Sequence, residues 1–292
     1  MPKGRHRKNN AVRLRKPKGS TSQRKKSKAK TKAGLRILRV GRDEKDDGRD
    51  QVYSGKRVQP SIDLRRYLFD VENQRSCNGC GGFAASTLVE ILFKRFRPKE
   101  AEEFSPLFAW WNAREYDGDT HKNEGVTSRT LLRGLHKKGI CPERLWPFDE
   151  SKYFTSPPDP AYTIAETLRI KSYQRCRNPK AIKAALSDRL PVLVGMMVRK
   201  GLQDIQGPLR SHPAQFADYG KQPQEFGHFM VIVGYRRGGA IVLNSWGTDR
   251  HDKGCLLMPW RVLMNDAFDI WTVTGIGSLK VKTKSARQSR FA

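Results

Sequence analysis

An α+β protein is predicted by two changes of pattern along the chain. Capped, helix-period segments dominate residues 80–140, and short β-branched or apolar runs follow in the second half. Charge adds a third observation. The net charge is +28, but residues 1–42 hold 17 Lys or Arg and not one acid.

From Cys80 the apolar positions Phe83, Ala84, Leu88, Ile91, Leu92 and Phe96 predict a largely buried helix. It must stop at Arg97, because Pro98 disfavours the α conformation in the residue before it. Ser105 caps a second helix with Pro106 in its first turn. Thr127 or Ser128 caps a third, which ends on Lys137, Lys138 and then Gly139. Asn178-Pro179 starts a short helix that is over before Pro191. Strands are expected over 192–198, 229–235, 240–244, 255–258 and 270–274. The run Arg236-Arg237-Gly238-Gly239 reads as the hairpin turn between two of them.

The basic segment cannot bury enough apolar surface to offset its ordering entropy, so it is expected to be disordered. Its boundary lies in the polar stretch 43–54, where acids first occur. We divide the chain into a basic tail over 1–57, a domain over 58–280 and a basic C-terminal tail over 281–292. No apolar run follows the first basic residues as in a secretory signal, and no 18-residue apolar run exists. A cytoplasmic, monomeric protein with reduced cysteines is therefore expected.

The chemistry centres on residues 74–83, which read Q-R-S-C-N-G-C-G-G-F. A thiol at a helix start becomes a useful nucleophile when a base takes its proton and a donor meets the developing oxyanion. Cys80 is the candidate nucleophile and His228, at the entry of an apolar strand, the candidate base. Asn244, in Leu243-Asn244-Ser245-Trp246-Gly247, can fix the imidazole ring, and Gln74 can donate to the oxyanion. The helix N-terminus and His228 are expected to depress the Cys80 pKa.

At these residues the chain resembles the papain-like cysteine peptidases. The family motif places a glutamine, then a cysteine three residues on, then Gly-Ser-Cys-Trp-Ala-Phe. Here Gln74, Cys77 and Asn78-Gly79-Cys80-Gly81-Gly82-Phe83 keep every spacing. His228 follows Cys80 by roughly 150 residues, the family's separation. Asp63-Leu64-Arg65 and Val71-Glu72-Asn73 are similar to the start of the mature family domain. Gly139-Ile140-Cys141-Pro142-Glu143 and Leu145-Trp146-Pro147-Phe148 resemble its bacterial and archaeal members.

The resemblance implies a helical lobe and an antiparallel β-barrel-like lobe with Cys80 and His228 facing each other across a cleft. It implies a cysteine-type peptidase acting on polypeptides, with no cofactor and no metal. Trp246 would shield the His228–Asn244 contact, and with Gly125, Val126, Thr127, Ser128 and Gly227 it would meet the substrate. Two departures stand out. Gly81-Gly82 replaces Trp-Ala, which should weaken the first helical turn and widen the groove. The family partner of Cys77 is missing from the stretch Glu124-Gly125-Val126-Thr127.

Two rival readings come from other classes. Cys77 and Cys80 with His251 and Cys255 have plausible zinc-ligand types, but that reading leaves Gln74, His228 and Asn244 unexplained. The basic tail could neutralise phosphates and make the chain a nucleic-acid-binding protein on an inactive peptidase fold, or bring a peptidase to an anionic surface.

Overall fold

In a computed structural model, residues 50–277 are described, together with the backbone of Leu279 and Lys280. Of the expected tails over 1–57 and 281–292, residues 1–49 and 281–292 lie outside the described residues. Seven α-helices occur among the described residues: α1 (Cys80–Phe96), α2 (Pro106–Asp117), α3 (Ser128–Lys137), α4 (Asp159–Ala165), α5 (Pro179–Ser187), α6 (His212–Tyr219) and α7 (Trp260–Asp266). The strands are β1 (Ile62–Asp63), β2 (Ile170–Arg175), β3 (Val192–Arg199), β4 (Gln224–Arg236), β5 (Gly239–Leu243), β6 (Cys255–Met258), β7 (Ala267–Ile276) and β8 (Leu279–Lys280).

The helix ends follow the sequence rules. Ser105 accepts from the Phe108 N–H ahead of α2, and Asn178 accepts from Ala181 ahead of α5. Thr127 and Thr130 form a reciprocal capping box at α3. α1 is buried on nearly every face, with Leu88, Val89, Ile91 and Leu92 at 2% exposure or less. It packs on α2 and α3 on one side and on β3 and β4 on the other. Truncating Leu92 to Ala would cost about 2–5 kcal/mol. Gly82 permits the α1–α2 contact, since a Cβ there would lie 2.2 Å from the Pro106 carbonyl oxygen.

All strand pairings are antiparallel, in the order β2-β7-β3-β4-β5-β6, with β1 on β4 and β8 on β7. The expected barrel-like lobe is thus an open sheet: among the described residues no pairing joins β6 to β2. The register sets Met196 of β3 opposite His228 of β4, and Val231 opposite Leu243 of β5. The sequence reading missed β1, β2, β8, α4, α6 and α7. β2 buries only its two end residues, so it carries no clear alternation.

Residues 50–57, assigned above to the tail, include groups that pack on the domain. Tyr53 is 4% exposed and its hydroxyl donates to Asp188. Backbone bonds join Tyr53 and Gln51 to Arg175 of β2 at 2.8 Å each. The Asp50 carboxylate accepts from Arg129 and from Arg175 Nε, which lies at 2.7 Å. A boundary placed by charge missed this edge because one carboxylate and one tyrosine make it. No described helix is long and apolar enough to cross a membrane.

Candidate active site

Cys80 is the first residue of α1 and is 1% exposed. Burial pushes its thiol up to about 11, while the backbone N–H groups of Phe229, Gly81 and Cys80 itself oppose that rise. The expected depression is therefore reversed in this closed site, because lost hydration outweighs three N–H dipoles and the imidazole is neutral. Burial also drives Cys77, Cys141, Cys176 and Cys255 up, to about 12. All five cysteines are free and buried.

His228 stands on β4 next to Phe229, whose backbone N–H opposes the rise of the Cys80 thiol. Its Nε2 lies 2.8 Å from Asn244 Oδ1, just past the end of β5. Burial lowers the imidazole to about 4, and the Asn244 oxygen opposes that shift. The Trp246 ring covers the imidazole at 5.1 Å between centroids, tilted by 31°.

Gln74 joins both halves of the site. Its N–H donates to the Ser245 carbonyl at 2.9 Å, and its Oε1 accepts from the Ser245 hydroxyl at 2.7 Å. Its Nε2 donates to the Cys77 carbonyl at 2.8 Å, which uses one of the two N–H bonds a carboxamide carries.

The loop leading to Val126 is tied to the turn before Cys80 without a disulfide. Asn78 N–H donates to Asn123 Oδ1 at 2.9 Å, and Asn78 Nδ2 to the Asn123 carbonyl at 2.7 Å. The fully buried Arg114 guanidinium donates to the carbonyls of Thr120, Lys122 and Tyr153 and stacks on Trp110 at 3.4 Å. These bonds bridge the segments that a Cys77 pairing would otherwise link.

Beside Cys80 the groove is not simply widened by the missing indole. A Cβ on Gly81 would meet Val126 Cγ2 at 2.8 Å and Phe229 Cδ2 at 3.4 Å. Gly125 and Gly227 are buried, and Thr127 is half-buried at its cap position. Ser128 departs from the expected substrate-contacting role. It is 1% exposed and donates its hydroxyl to Asp269, which also accepts from Arg175.

Two residues beside the site escaped the sequence reading. The Phe229 backbone N–H favours the Cys80 thiolate, which no side-chain motif announces. His251 was weighed only as a zinc ligand, yet its ring contacts Asn244 and the Ile205 carbonyl. Among the described residues no group of three His, Cys, Asp or Glu could hold a metal ion.

A sequence profile of the papain family cysteine proteases matches residues 58–265. The chain belongs to that family. It is 26% identical over 199 residues to an uncharacterized peptidase C1-like protein of Acanthamoeba polyphaga mimivirus, covering 62% of each chain. It is also 26% identical over 213 residues to cathepsin K of Gallus gallus, covering 69% of this chain and 59% of the relative. The chain thus spans about three fifths of the length of these relatives. Among solved structures, xylellain, a cysteine protease from Xylella fastidiosa, superposes with a TM-score of 0.68 at 24% identity. That match covers 79% of this papain-family chain and 93% of xylellain. The bromelain protease of Ananas comosus gives 0.58 at 21% identity, over 74% and 99%. Both likenesses support the papain-like fold.

Proposed function

We propose that this papain-family chain is a cysteine-type peptidase that hydrolyses peptide bonds through a Cys80 thioester. The observation that carries the reading is the held imidazole. His228 Nε2 lies 2.8 Å from Asn244 Oδ1 under the Trp246 ring. The next residue on β4, Phe229, has a backbone N–H that favours the Cys80 thiolate. With Nε2 of His228 engaged, its Nδ1 is the nitrogen left to accept the thiol proton.

The Cys80 sulfur adds to the scissile carbonyl carbon as its proton passes to His228. The Gln74 amide and the Cys80 backbone N–H stabilise the tetrahedral oxyanion. The imidazolium then returns the proton to the departing amine, leaving an acyl-thioester. Water, deprotonated by His228, attacks that thioester and releases the carboxylic acid and free thiol. Asn244 positions the ring throughout. Gly125, Val126, Thr127 and Gly227 are proposed to border the bound chain.

The 17 cations of residues 1–42 support a second property beside catalysis, salt-sensitive attachment to polyanions. The decisive experiment for catalysis is mass spectrometry after reaction with a peptide-like thiol-alkylating electrophile. Adduct on Cys80 alone is the expected result, and equal labelling of several cysteines would reject the reading.

A further inference from the structure

His251 is 6% exposed and sits at φ +61°, a backbone conformation that few residues other than glycine adopt. The connection between β3 and β4 holds it there. Gln206 Oε1 accepts from His251 N–H at 2.8 Å, and the Ile205 carbonyl faces its Nδ1 at 2.9 Å. On the far side of the ring, Nε2 lies 3.2 Å from Asn244 Nδ2.

These contacts determine where the hydrogens are. A carbonyl can only accept, so His251 Nδ1 must carry a hydrogen toward Ile205. The neutral ring then has a bare Nε2, which can only accept, and Asn244 must turn its NH2 toward it. That orientation aims Asn244 Oδ1 at His228 Nε2 and at the Ser245 N–H, 2.8 Å away. Oδ1 also only accepts, so His228 must carry its hydrogen on Nε2 and leave Nδ1 bare. Burial favours the neutral form of His251, as this sequence of donors and acceptors requires. Trp246 lies against both imidazoles, at 5.1 Å from His228 and 5.9 Å from His251, and covers the bonds between them.

We infer that His251 is a positioning residue: its Nδ1-protonated tautomer sets the Asn244 amide, and through it the tautomer of His228. The inference rests on the proposed role of His228 as base. Ser245 N–H supports the same amide orientation, so His251 shares the task.

The test uses the full chain with isotope-labelled histidine. Imidazole nitrogen spectra of the unsubstituted protein should show His251 protonated at Nδ1 and His228 at Nε2. His251→Phe keeps a ring but removes the acceptor, and should lower kcat about tenfold, the scale of one neutral hydrogen bond. KM should stay within about twofold, because no substrate contact is removed. In that variant the His228 signals should move toward mixed tautomers. His251→Gln, which can still accept from Asn244, should recover part of the rate. Nε2-protonated His251 in the unsubstituted protein, or an unchanged kcat in a folded His251→Phe, overturns the inference. If His251→Phe does not fold, the spectra of the unsubstituted protein decide alone. Activity retained by Cys80→Ala would instead overturn the proposed nucleophile, whatever the tautomers are.

Discussion

Ser245 donates its hydroxyl to Gln74 Oε1 at 2.7 Å and so joins the loop before α1 to the segment after β5. The same two residues share a backbone bond, Gln74 N–H to the Ser245 carbonyl at 2.9 Å. The proposed oxyanion donor is therefore held by two bonds to the residue that follows Asn244, the proposed orienter of the base. Moving either segment displaces both, so positions far apart in the chain should show coupled kinetic effects.

Substitutions at the site should have graded effects. Cys80→Ala should abolish peptide hydrolysis and keep the fold, and His228→Ala should cost nearly as much. Gln74→Ala should lower kcat by about 100- to 1,000-fold, the usual effect of losing one oxyanion donor. Asn244→Ala should be milder, because it moves no proton. Steady-state kinetics with thermal melts checks the series, and an Asn244→Ala worse than His228→Ala would mean the roles are misassigned.

The acid limb of kcat/KM should fall near pH 4. His228 has its folded value lowered to about 4 by burial, so the imidazole stays neutral and able to take a proton down to that pH. The Cys80 thiol, pushed up to about 11, supplies its proton across the neutral range. A pH–rate profile of the free enzyme tests this. An acid limb at about 6.5, the ordinary histidine value, would contradict it.

Three carboxyls around the base of α1 should make the fold less stable as pH rises from about 7 to 9. Burial raises Glu72 to about 9, Glu90 to about 8 and Glu143 to about 7. The folded state then binds more protons than the unfolded one. The stabilisation is full below the ordinary value of 4.5 and is lost as pH climbs through the folded values. His212, His228 and His251, whose neutral form burial favours, contribute little there. Glu90→Gln should flatten the slope, since a carboxamide oxygen can still accept the Phe104 N–H that Glu90 meets at 2.9 Å. Thermal midpoints at several pH values, with and without this change, are the measurement. Stability that rises from pH 7 to 9 would refute the assignment.

Deleting residues 1–42 should leave hydrolysis of a short neutral peptide unchanged, because every proposed site residue lies at Gln74 or beyond. The same deletion should remove most DNA or RNA binding, and binding by the intact chain should fall steeply with salt as counterions are released. Kinetics and salt-titrated binding on both proteins separate the properties. Loss of peptide hydrolysis would show that the segment belongs to the fold. Retained nucleic-acid binding would move the basic surface onto the domain.

Local chemistry decided what the sequence alone determined. Capping at Ser105, Thr127 and Asn178, the stop at Pro98, and the spacing of Gln74, Cys80, His228 and Asn244 depend on near neighbours or on motif order, which a linear reading preserves. Tertiary structure decided the rest, because it turns on burial and on partners distant in the chain. The same burial that raises the Cys80 thiol lowers His228, reversing an expectation drawn from the helix N-terminus and His228 without their burial. Ser128 faces Asp269 instead of a substrate, and Asp50 and Tyr53 belong to the packed domain. His251 changes from a candidate zinc ligand to a neighbour of Asn244, because a positive-φ turn and the Ile205 carbonyl bring its ring beneath that amide. Hydrogen-bond direction is a property of atoms brought face to face, and only the folded chain brings them there.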